Sequence, residues 1–308
     1  MDRRVVITGG AGFIGSHLSR MHHSNNDHVI ILDNFSTSTY NTNLSADEII
    51  PFDLSSIDER GTDTLNSILS EADLVYHMAG SVGVKYVDRD PKGTLRNSFN
   101  INSNLFPLFE YYKSRVIFAS SSEVYGNTNE AKETDTLKIG SPEILRWGYA
   151  CGKLMSEFLL RSYNFPSTIV RFFNVSGNGQ LSDFGMVLPT FIEKAKAGED
   201  LVVYGTGEQY RTFCDIRDAI RMLDILSQDI HIGEIYNIGN SSNIMTMAQL
   251  AEEVISVTGS ESSIIYRDYN EDFSSDHGEI FKRRPNTDKI DQYYTAKYSI
   301  RDIIRSMI

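Results

Sequence analysis

The sequence predicts an α/β fold in which helices cover both faces of a parallel sheet, followed by a smaller α/β lobe. Short runs rich in β-branched residues alternate with longer amphipathic segments through the first half of the chain, as in successive βαβ units. These runs are nearly continuous in apolar residues, which is typical of strands buried on both faces. After about Asn174, Gly- and Ser-rich turns and more charged residues follow, so a second lobe is expected there.

Five runs are expected to form the central strands. They are residues 4–8, 29–33, 74–79, 116–120 and 168–173. Apolar residues at helical spacing lie between them, for example Ile14 and Leu18. We therefore predict a first domain over residues 1–174, completed by a returning segment near 212–238, and a C-terminal lobe over residues 175–308.

Composition and charge narrow the class of protein. With 308 residues, of which 41% are hydrophobic, the chain can bury a sizeable core, and its net charge of −12 disfavours nucleic acids and anionic membranes as partners. We find no apolar stretch that approaches the ~20 residues of a membrane span or that fits a signal peptide. Cys151 and Cys214 cannot form a disulfide framework, and the seven histidines show no metal-binding motif. We therefore expect a cytoplasmic protein without a structural metal, in which both cysteines are packing residues.

The most specific motif is a glycine-rich turn between the first strand and the first helical pattern. It reads Thr8-Gly9-Gly10-Ala11-Gly12-Phe13-Ile14-Gly15. Glycines allow a tight turn and let backbone amides approach a pyrophosphate at the positive end of the helix dipole. Asp33 follows Gly15 by 18 residues, at the end of the second strand, where a carboxylate can accept hydrogen bonds from ribose hydroxyls and disfavours a 2′-phosphate. The turn and Asp33 together predict a Rossmann-type site for NAD rather than NADP.

A tyrosine and a lysine form the second candidate site. Tyr149 and Lys153 lie four residues apart, which on a helix places them on one face. Tyr293 and Lys297 repeat the spacing, but only the first pair is preceded by an apolar strand that runs into serines, at residues 116–122. Ligands gather at the carboxyl edge of such a sheet, so we assign Tyr149 to the site and Tyr293 to packing or the surface.

These motifs resemble the extended short-chain dehydrogenase/reductase family, in particular its NAD-dependent nucleotide-sugar epimerases, dehydratases and decarboxylases. The resemblance covers nearly the whole chain. Besides the glycine turn, Asp33 and the Tyr149 and Lys153 pair, it rests on segments that follow the family's order. These are residues 53–54, 77–80, 120–126, 171–174, 203–213 and 283–285.

The resemblance implies three groups of site residues. The catalytic group is Ser121, Glu123, Tyr149 and Lys153. The cofactor-binding group is Gly9, Gly12, Phe13, Ile14, Gly15, Asp33, Asn34, Asp53, Leu54 and Ala79, together with Tyr149 and Lys153. The substrate-binding group is Asn174, Leu188, Tyr204, Arg211 and Arg283. Arginines suit a sugar nucleotide, because a guanidinium pairs bidentately with phosphate oxygens.

The implied chemistry begins with the phenolate of Tyr149, which takes the proton of the sugar hydroxyl at carbon 4 while hydride passes to NAD. Ser121 would hydrogen-bond the reacting oxygen, and Lys153 would hold the ribose and lower the pKa of the phenol. Family members share this first step and differ in the later ones. The presence of all three residues speaks against a non-catalytic sensor or scaffold.

Neighbouring residues leave the reaction open. Glu123 stands where simple hexose epimerases have a neutral residue, which indicates chemistry beyond inversion, but Ser122 replaces the aspartate of thymidine-diphosphate-glucose dehydratases. Residues 146–151 resemble decarboxylating relatives such as apiose and xylose synthases, whereas residues 178–180 lack the arginine of many uronate-processing members. We rank an epimerase or dehydratase acting on a UDP-hexose first. The alternatives are a UDP-glucuronate-type decarboxylase and a non-catalytic NAD-binding protein. A homodimer built on helices near Tyr149 is also implied.

Overall fold

A computed structural model describes residues 3–37, 44–80, 89–183, 185–268, 271 and 281–308. The strands in chain order are β1 (Arg4–Thr8), β2 (His28–Asp33), β3 (Glu48–Pro51), β4 (Leu74–His77), β5 (Val116–Ser121), β6 (Thr128–Ala131), β7 (Ser167–Phe172), β8 (Val175–Ser176), β9 (Leu201–Tyr204), β10 (Tyr210–Thr212), β11 (Cys214–Asp215), β12 (Ile235–Ile238), β13 (Ile244–Thr246), β14 (Ile264–Arg267) and β15 (Lys282–Pro285). The helices are α1 (Phe13–Ser24), α2 (Glu59–Leu69), α3 (Pro91–Tyr112), α4 (Trp147–Ser162), α5 (Val187–Ala197), α6 (Ile216–Leu226), α7 (Met247–Thr258), α8 (Asp288–Asp291) and α9 (Ile300–Met307).

A parallel sheet of seven strands, in the order β12-β7-β5-β4-β1-β2-β3, forms the centre of the described chain. The chain winds outward from β1 in both directions, which opens a crevice beyond the carboxyl ends of β1 and β4. The five predicted strands are confirmed. The third is shorter than predicted and ends at His77, and the backbone N–H of Ala79 donates a hydrogen bond to the Thr8 hydroxyl (3.3 Å). β12 lies inside the predicted returning segment and pairs in parallel with β7.

Helices cover both faces of the sheet because alternate residues of each strand point to opposite sides. On one side, Val5 and Ile7 of β1 belong to a core cluster with α1 and α6. On the other side, Val6 belongs to a cluster with α2, α3 and α4. The predicted doubly wound, Rossmann-type fold is therefore confirmed.

The C-terminal lobe has a core of its own. Phe191 of α5, Leu250 of α7 and Ile303 of α9 pack together there, with Val203 of β9. A sheet in the order β13-β10-β15-β6 joins this lobe to the first half of the chain, since β6 precedes α4. This pairing brings the residues of β15 beside the segment that follows β5. The domain boundary at residue 174 stays a prediction.

Candidate active site

One cavity of about 960 Å³ lies at the carboxyl edge of the central sheet, and every site residue named from the sequence lines it. The edge position follows from the fold, since Gly9, Asp33 and Ala79 lie at or just after the ends of β1, β2 and β4. Ser121 and Asn174 hold the corresponding positions at β5 and β7. The C-terminal lobe closes the far side of the cavity with Leu188, Tyr204, Arg211 and Arg283.

The glycine turn leaves no room for side chains. Gly9 has a φ of +68°, and a Cβ atom there would lie 2.8 Å from the backbone nitrogen of Ala79. A Cβ atom on Gly15 would collide with the carbonyl oxygen of Gly9. Gly12 precedes α1 without a side-chain cap, so the first amides of the helix are free of side-chain acceptors. The turn therefore forms a cradle of backbone atoms that fits a dinucleotide diphosphate.

Asp33 ties this cradle to the second strand. Its Oδ2 accepts a hydrogen bond from the backbone N–H of Ala11 (2.9 Å), and its Oδ1 accepts one from Phe35 (2.8 Å). Each carboxylate oxygen can still accept a second bond, as a ribose hydroxyl requires. Further along the cavity wall, Asp53 accepts bonds from the backbone N–H (2.9 Å) and the hydroxyl (2.7 Å) of Ser55.

Tyr149 lies on the first turn of α4, next to the end of β5. Burial, together with the charge of Glu123, raises the pKa of its phenol to about 12, although a hydrogen bond with Ser121 and the charge of Arg283 act in the opposite direction. Lys153 donates a hydrogen bond to the carbonyl oxygen of Ala119 (2.8 Å), and burial lowers its pKa to about 8. Ser121, Tyr149 and Lys153 all line the cavity, and their catalytic roles stay a prediction. The expected lowering of the phenol pKa by Lys153 is not seen in this geometry.

Glu123 lies between two arginines from distant parts of the chain. Its Oε1 accepts hydrogen bonds from Nη2 of Arg146 (3.1 Å) and from Nη1 of Arg283 (2.9 Å). Burial favours the neutral acid, but Arg146, Arg283 and Arg211 outweigh it and lower the pKa of Glu123. The Glu123 cluster, as we name Glu123, Arg146 and Arg283, therefore carries one net positive charge.

Sequence reasoning missed Arg146 as a site residue. The residue occupies the N-cap position of α4, three positions before Tyr149, so helical spacing alone brings it to the same end of the cavity. That spacing is the signal that could have found it.

Arg283 keeps donor capacity for a ligand. Its Nη2 donates to Oδ1 of Asn174 (3.0 Å), while its Nε is buried without a hydrogen-bond partner. A buried guanidinium N–H without an acceptor is costly, and an oxygen of a bound anion would satisfy it. Asn174 is itself held in a left-handed conformation (φ 37°) and donates to the carbonyl oxygen of Thr212 (2.8 Å).

The two cysteines differ from each other in burial. Cys214 is fully buried, as predicted, whereas Cys151 is exposed on α4 and does not pack in the core of its own chain. It occupies the outer face of the helix, while Ala150, Gly152 and Lys153 face inward. Tyr293 is 44% exposed and packs edge-on against His231, in agreement with its predicted surface or packing role.

Two kinds of site have no candidate in the described ranges. Every helix there is too short or too polar to cross a membrane. Nor do three or more His, Cys, Asp or Glu side chains of that part of the chain group together as a metal ion would require.

A glycine turn bonded to Asp33, with serine, tyrosine and lysine at the carboxyl edge of the same parallel sheet, defines an extended short-chain dehydrogenase/reductase. The chain belongs to the NAD dependent epimerase/dehydratase family, whose model matches residues 5–239. The predictions of family and of NAD as cofactor are thereby confirmed. When bound, NAD would rest on the glycine turn and Asp33.

Similar proteins include several decarboxylases. The chain is 34% identical over 298 residues to a UDP-N-acetyl-alpha-D-glucosaminuronate decarboxylase of Bacillus cytotoxicus, covering 94% of this chain and 91% of that protein. It is 31% identical to UDP-glucuronic acid decarboxylase 4 of Arabidopsis thaliana, covering 93% of this chain and 63% of that longer protein. The UDP-glucose 4-epimerase of Thermus thermophilus, solved with NAD, shares the fold at a TM-score of 0.86 and 23% identity, covering 99% and 97% of the two chains.

Proposed function

We propose that this protein is an NAD-dependent decarboxylase of a UDP-linked uronic acid. The observation that carries the proposal is the Glu123 cluster, which places a net positive charge beside Tyr149 in the cavity. A uronate carboxylate would neutralise that charge. Decarboxylase relatives that cover most of the chain support the same reading. The sequence ranks an epimerase or dehydratase first, and the comparisons favour its alternative.

Dehydration fits the cluster less well. A dehydratase needs a carboxylate that removes the proton at carbon 5 of the sugar. Glu123 is a poor candidate for that base, because Oε1 already accepts two charge-assisted hydrogen bonds and the arginines lower its pKa. Decarboxylation requires no base at carbon 5, so an ion-paired Glu123 can instead hold the two arginines in place.

Simple epimerisation also gives the Glu123 cluster no role in the reaction. An epimerase only removes hydride and returns it to the opposite face of the ring. It needs no positive charge at the sugar carbon that bears the carboxylate in a uronic acid.

NAD, when bound on the glycine turn and Asp33, would supply the hydride acceptor for carbon 4 of the sugar. Tyr149 takes the hydroxyl proton at the same carbon, and Ser121 donates a hydrogen bond to the reacting oxygen. The product is a 4-keto acid whose carboxylate lies β to the ketone. Its carbon–carbon bond then breaks, carbon dioxide leaves, and the electron pair moves onto the oxygen at carbon 4. Tyr149 and Ser121 are placed to hydrogen-bond that developing enolate oxygen until carbon 5 gains a proton.

The raised pKa of Tyr149 bears on the first step. A phenol with a pKa of about 12 is protonated near neutrality, so proton removal requires positive charge close to it. Arg283 acts in that direction already, and the positively charged nicotinamide ring would add to it.

Product mass tests the proposal directly. The protein is incubated with NAD and with UDP-glucuronate, UDP-N-acetylglucosaminuronate or UDP-glucose. The products are weighed by mass spectrometry, and their sugars are identified by NMR. We expect at least one uronate to lose the mass of carbon dioxide if the hydride returns to carbon 4, or of carbon dioxide and two hydrogens if the 4-keto product is released. UDP-glucose should remain unchanged. Loss of water, or epimerisation of UDP-glucose at unchanged mass, would contradict the proposal.

We also propose a homodimer that pairs the outer faces of α3 and α4. Support comes from large apolar side chains on these helices, since Leu95, Phe99 and Phe158 are 40%, 49% and 70% exposed. Phe158→Asp should convert the dimer to a monomer in light scattering, while Ile230→Asp, at an equally exposed position outside these helices, should not. A monomeric wild-type protein would contradict this proposal.

A further inference from the structure

A buried chain of hydrogen bonds runs from β1 to the helix that carries Tyr149. Oγ1 of Thr8 lies 2.7 Å from Nδ1 of His77, and Nε2 of His77 lies 2.9 Å from Oδ1 of Asn102. Nδ2 of Asn102 in turn donates to Oγ of Ser156 on α4 (2.6 Å). All four side chains are at most 5% exposed, and they link separate elements beneath the cavity floor.

The donor and the acceptor of each hydrogen bond follow from the other partners of the same side chains. Nδ2 of Asn102 also donates to the carbonyl oxygen of Ser98 (2.8 Å), and only the nitrogen of an amide can face a carbonyl. Oδ1 therefore faces His77, whose Nε2 must carry the proton. Nδ1 of His77 is then an acceptor, so the Thr8 hydroxyl donates to it. At the far end, the Ser156 hydroxyl donates to the carbonyl oxygen of Gly152 (2.7 Å).

The aromatic side chains around His77 make this series of hydrogen bonds rigid. His77 lies among the rings of Phe106, Phe109 and Phe118, with centroids 5.6–6.1 Å away. Burial lowers the pKa of His77 to about 4, which keeps the ring neutral and preserves its single acceptor. In such apolar surroundings a broken bond leaves a buried polar atom unpaired, so the network favours one arrangement.

Both ends of this series of hydrogen bonds lie close to the active site. At one end, Thr8 accepts a bond from Ala79 (3.3 Å), and the backbone nitrogen of Ala79 would lie 2.8 Å from a Cβ atom on Gly9. At the other end, Ser156 bonds to Gly152, the residue before Lys153. Any change in the spacing of these elements therefore moves the lysine relative to the glycine turn.

We propose that Asn102 and Ser156 are positioning residues that hold α4, with Tyr149 and Lys153, at a set distance from the glycine turn. The proposal rests on the proposed function, since it assumes that Tyr149 removes the proton while NAD accepts the hydride. Hydride transfer is sensitive to this spacing, because misplacement of the reacting groups by about 1 Å can cost roughly 100-fold in rate.

Two serines give a matched test. Ser156 and Ser98 are both buried where α3 meets α4, and each donates to the carbonyl oxygen four residues earlier. Only Ser156 also accepts the bond from Asn102. We expect Ser156→Ala to lower kcat roughly tenfold and to change the KM of the uronate less than about twofold. Ser98→Ala should keep the wild-type kcat, with a similar effect on the melting temperature.

NAD binding, measured by calorimetry without sugar nucleotide, separates the two proposals. We expect the affinity of Ser156→Ala for NAD to fall by about threefold relative to Ser98→Ala. A wild-type protein that releases no carbon dioxide would overturn the decarboxylase assignment alone. Equal NAD affinity in the two variants, with equal kcat in any reaction that the wild type catalyses, would overturn the positioning role. Asn102→Leu, which removes the donor instead of the acceptor, should reproduce the kcat loss of Ser156→Ala.

Discussion

The two ends of the cavity, which we propose hold the cofactor and the sugar, are built from different groups. At the cofactor end, backbone atoms of the glycine turn line the cavity, and Asp33 accepts a hydrogen bond from one of them, the N–H of Ala11. At the sugar end, the Glu123 cluster joins side chains from the segment after β5, from α4 and from β15. An added Cβ atom at Gly9 or Gly15 would disrupt the backbone cradle. In the ion cluster, substitution of one side chain would change the charge that a ligand meets. The two ends should therefore respond differently to substitution.

Tyr149 lies where the two ends meet, and its loss should have the largest effect. Tyr149→Phe removes the proton acceptor, so turnover should fall about 10³-fold while NAD binding stays intact. Steady-state kinetics and NAD calorimetry measure the two quantities. The matched control is Tyr293→Phe, which alters the second tyrosine with a lysine four residues later and should leave turnover unchanged. Unaltered turnover in Tyr149→Phe would favour the non-catalytic alternative.

The backbone cradle can be tested with one methyl group. In Gly15→Ala the new Cβ atom meets the carbonyl oxygen of Gly9, and the turn must open. Overpacking of this kind costs about 1–3 kcal/mol, so the affinity for NAD should fall roughly 10- to 100-fold.

Gly198→Ala is the control for the cradle, since its Cβ atom would meet nothing within 4 Å and the residue lies outside the cavity lining. It should lower stability slightly, because its φ is +70°, and leave NAD binding unchanged. Wild-type affinity in Gly15→Ala would show that the turn is not the diphosphate cradle.

Substitutions at the sugar end should affect only the binding of substrates whose sugar carries a carboxylate. Arg146→Gln removes one charged hydrogen bond from Glu123 and one positive charge from the cavity. The KM of the uronate should rise roughly tenfold, while the affinity for NAD and for UDP-glucose stays near wild type. Arg221→Gln, which breaks an exposed pair with Asp224, is the control. An equal loss of UDP-glucose binding in Arg146→Gln would assign Arg146 to the nucleotide instead of the carboxylate.

The smallest expected effect is a pH dependence of stability. The folded-state pKa of Glu123 lies below its ordinary value of 4.5, so its ionised form stabilises the protein fully above that value. This stabilisation should be lost as the pH falls through the lower folded-state pKa. Melting temperatures of wild type and Glu123→Gln should therefore differ by a constant amount from about pH 5 to 7 and converge in more acid solution. A gap that widens on acidification would contradict the ion cluster.

Much of the cofactor end could be predicted because its signals are local in the chain. Tight turns need glycine, buried strands need continuous apolar runs, and a helix brings residues four apart to one face. The cluster around Glu123 has no such signal, because Arg283 follows it by 160 residues along the chain. The exposure of Cys151 was likewise decided by how α4 packs on α3, not by the residue's own preference for burial.

By itself, then, the sequence determined five strands of the central sheet, the glycine turn, the acidic end of β2 and the helical spacing of Tyr149 and Lys153, since each depends on residues near one another in the chain. Tertiary structure alone decided that β15 lies beside β6 and so delivers Arg283 to Glu123, and that Asn102 reaches both His77 and Ser156. The physical reason is that ion pairs and side-chain hydrogen bonds act over a few ångströms in space, whatever the distance along the chain.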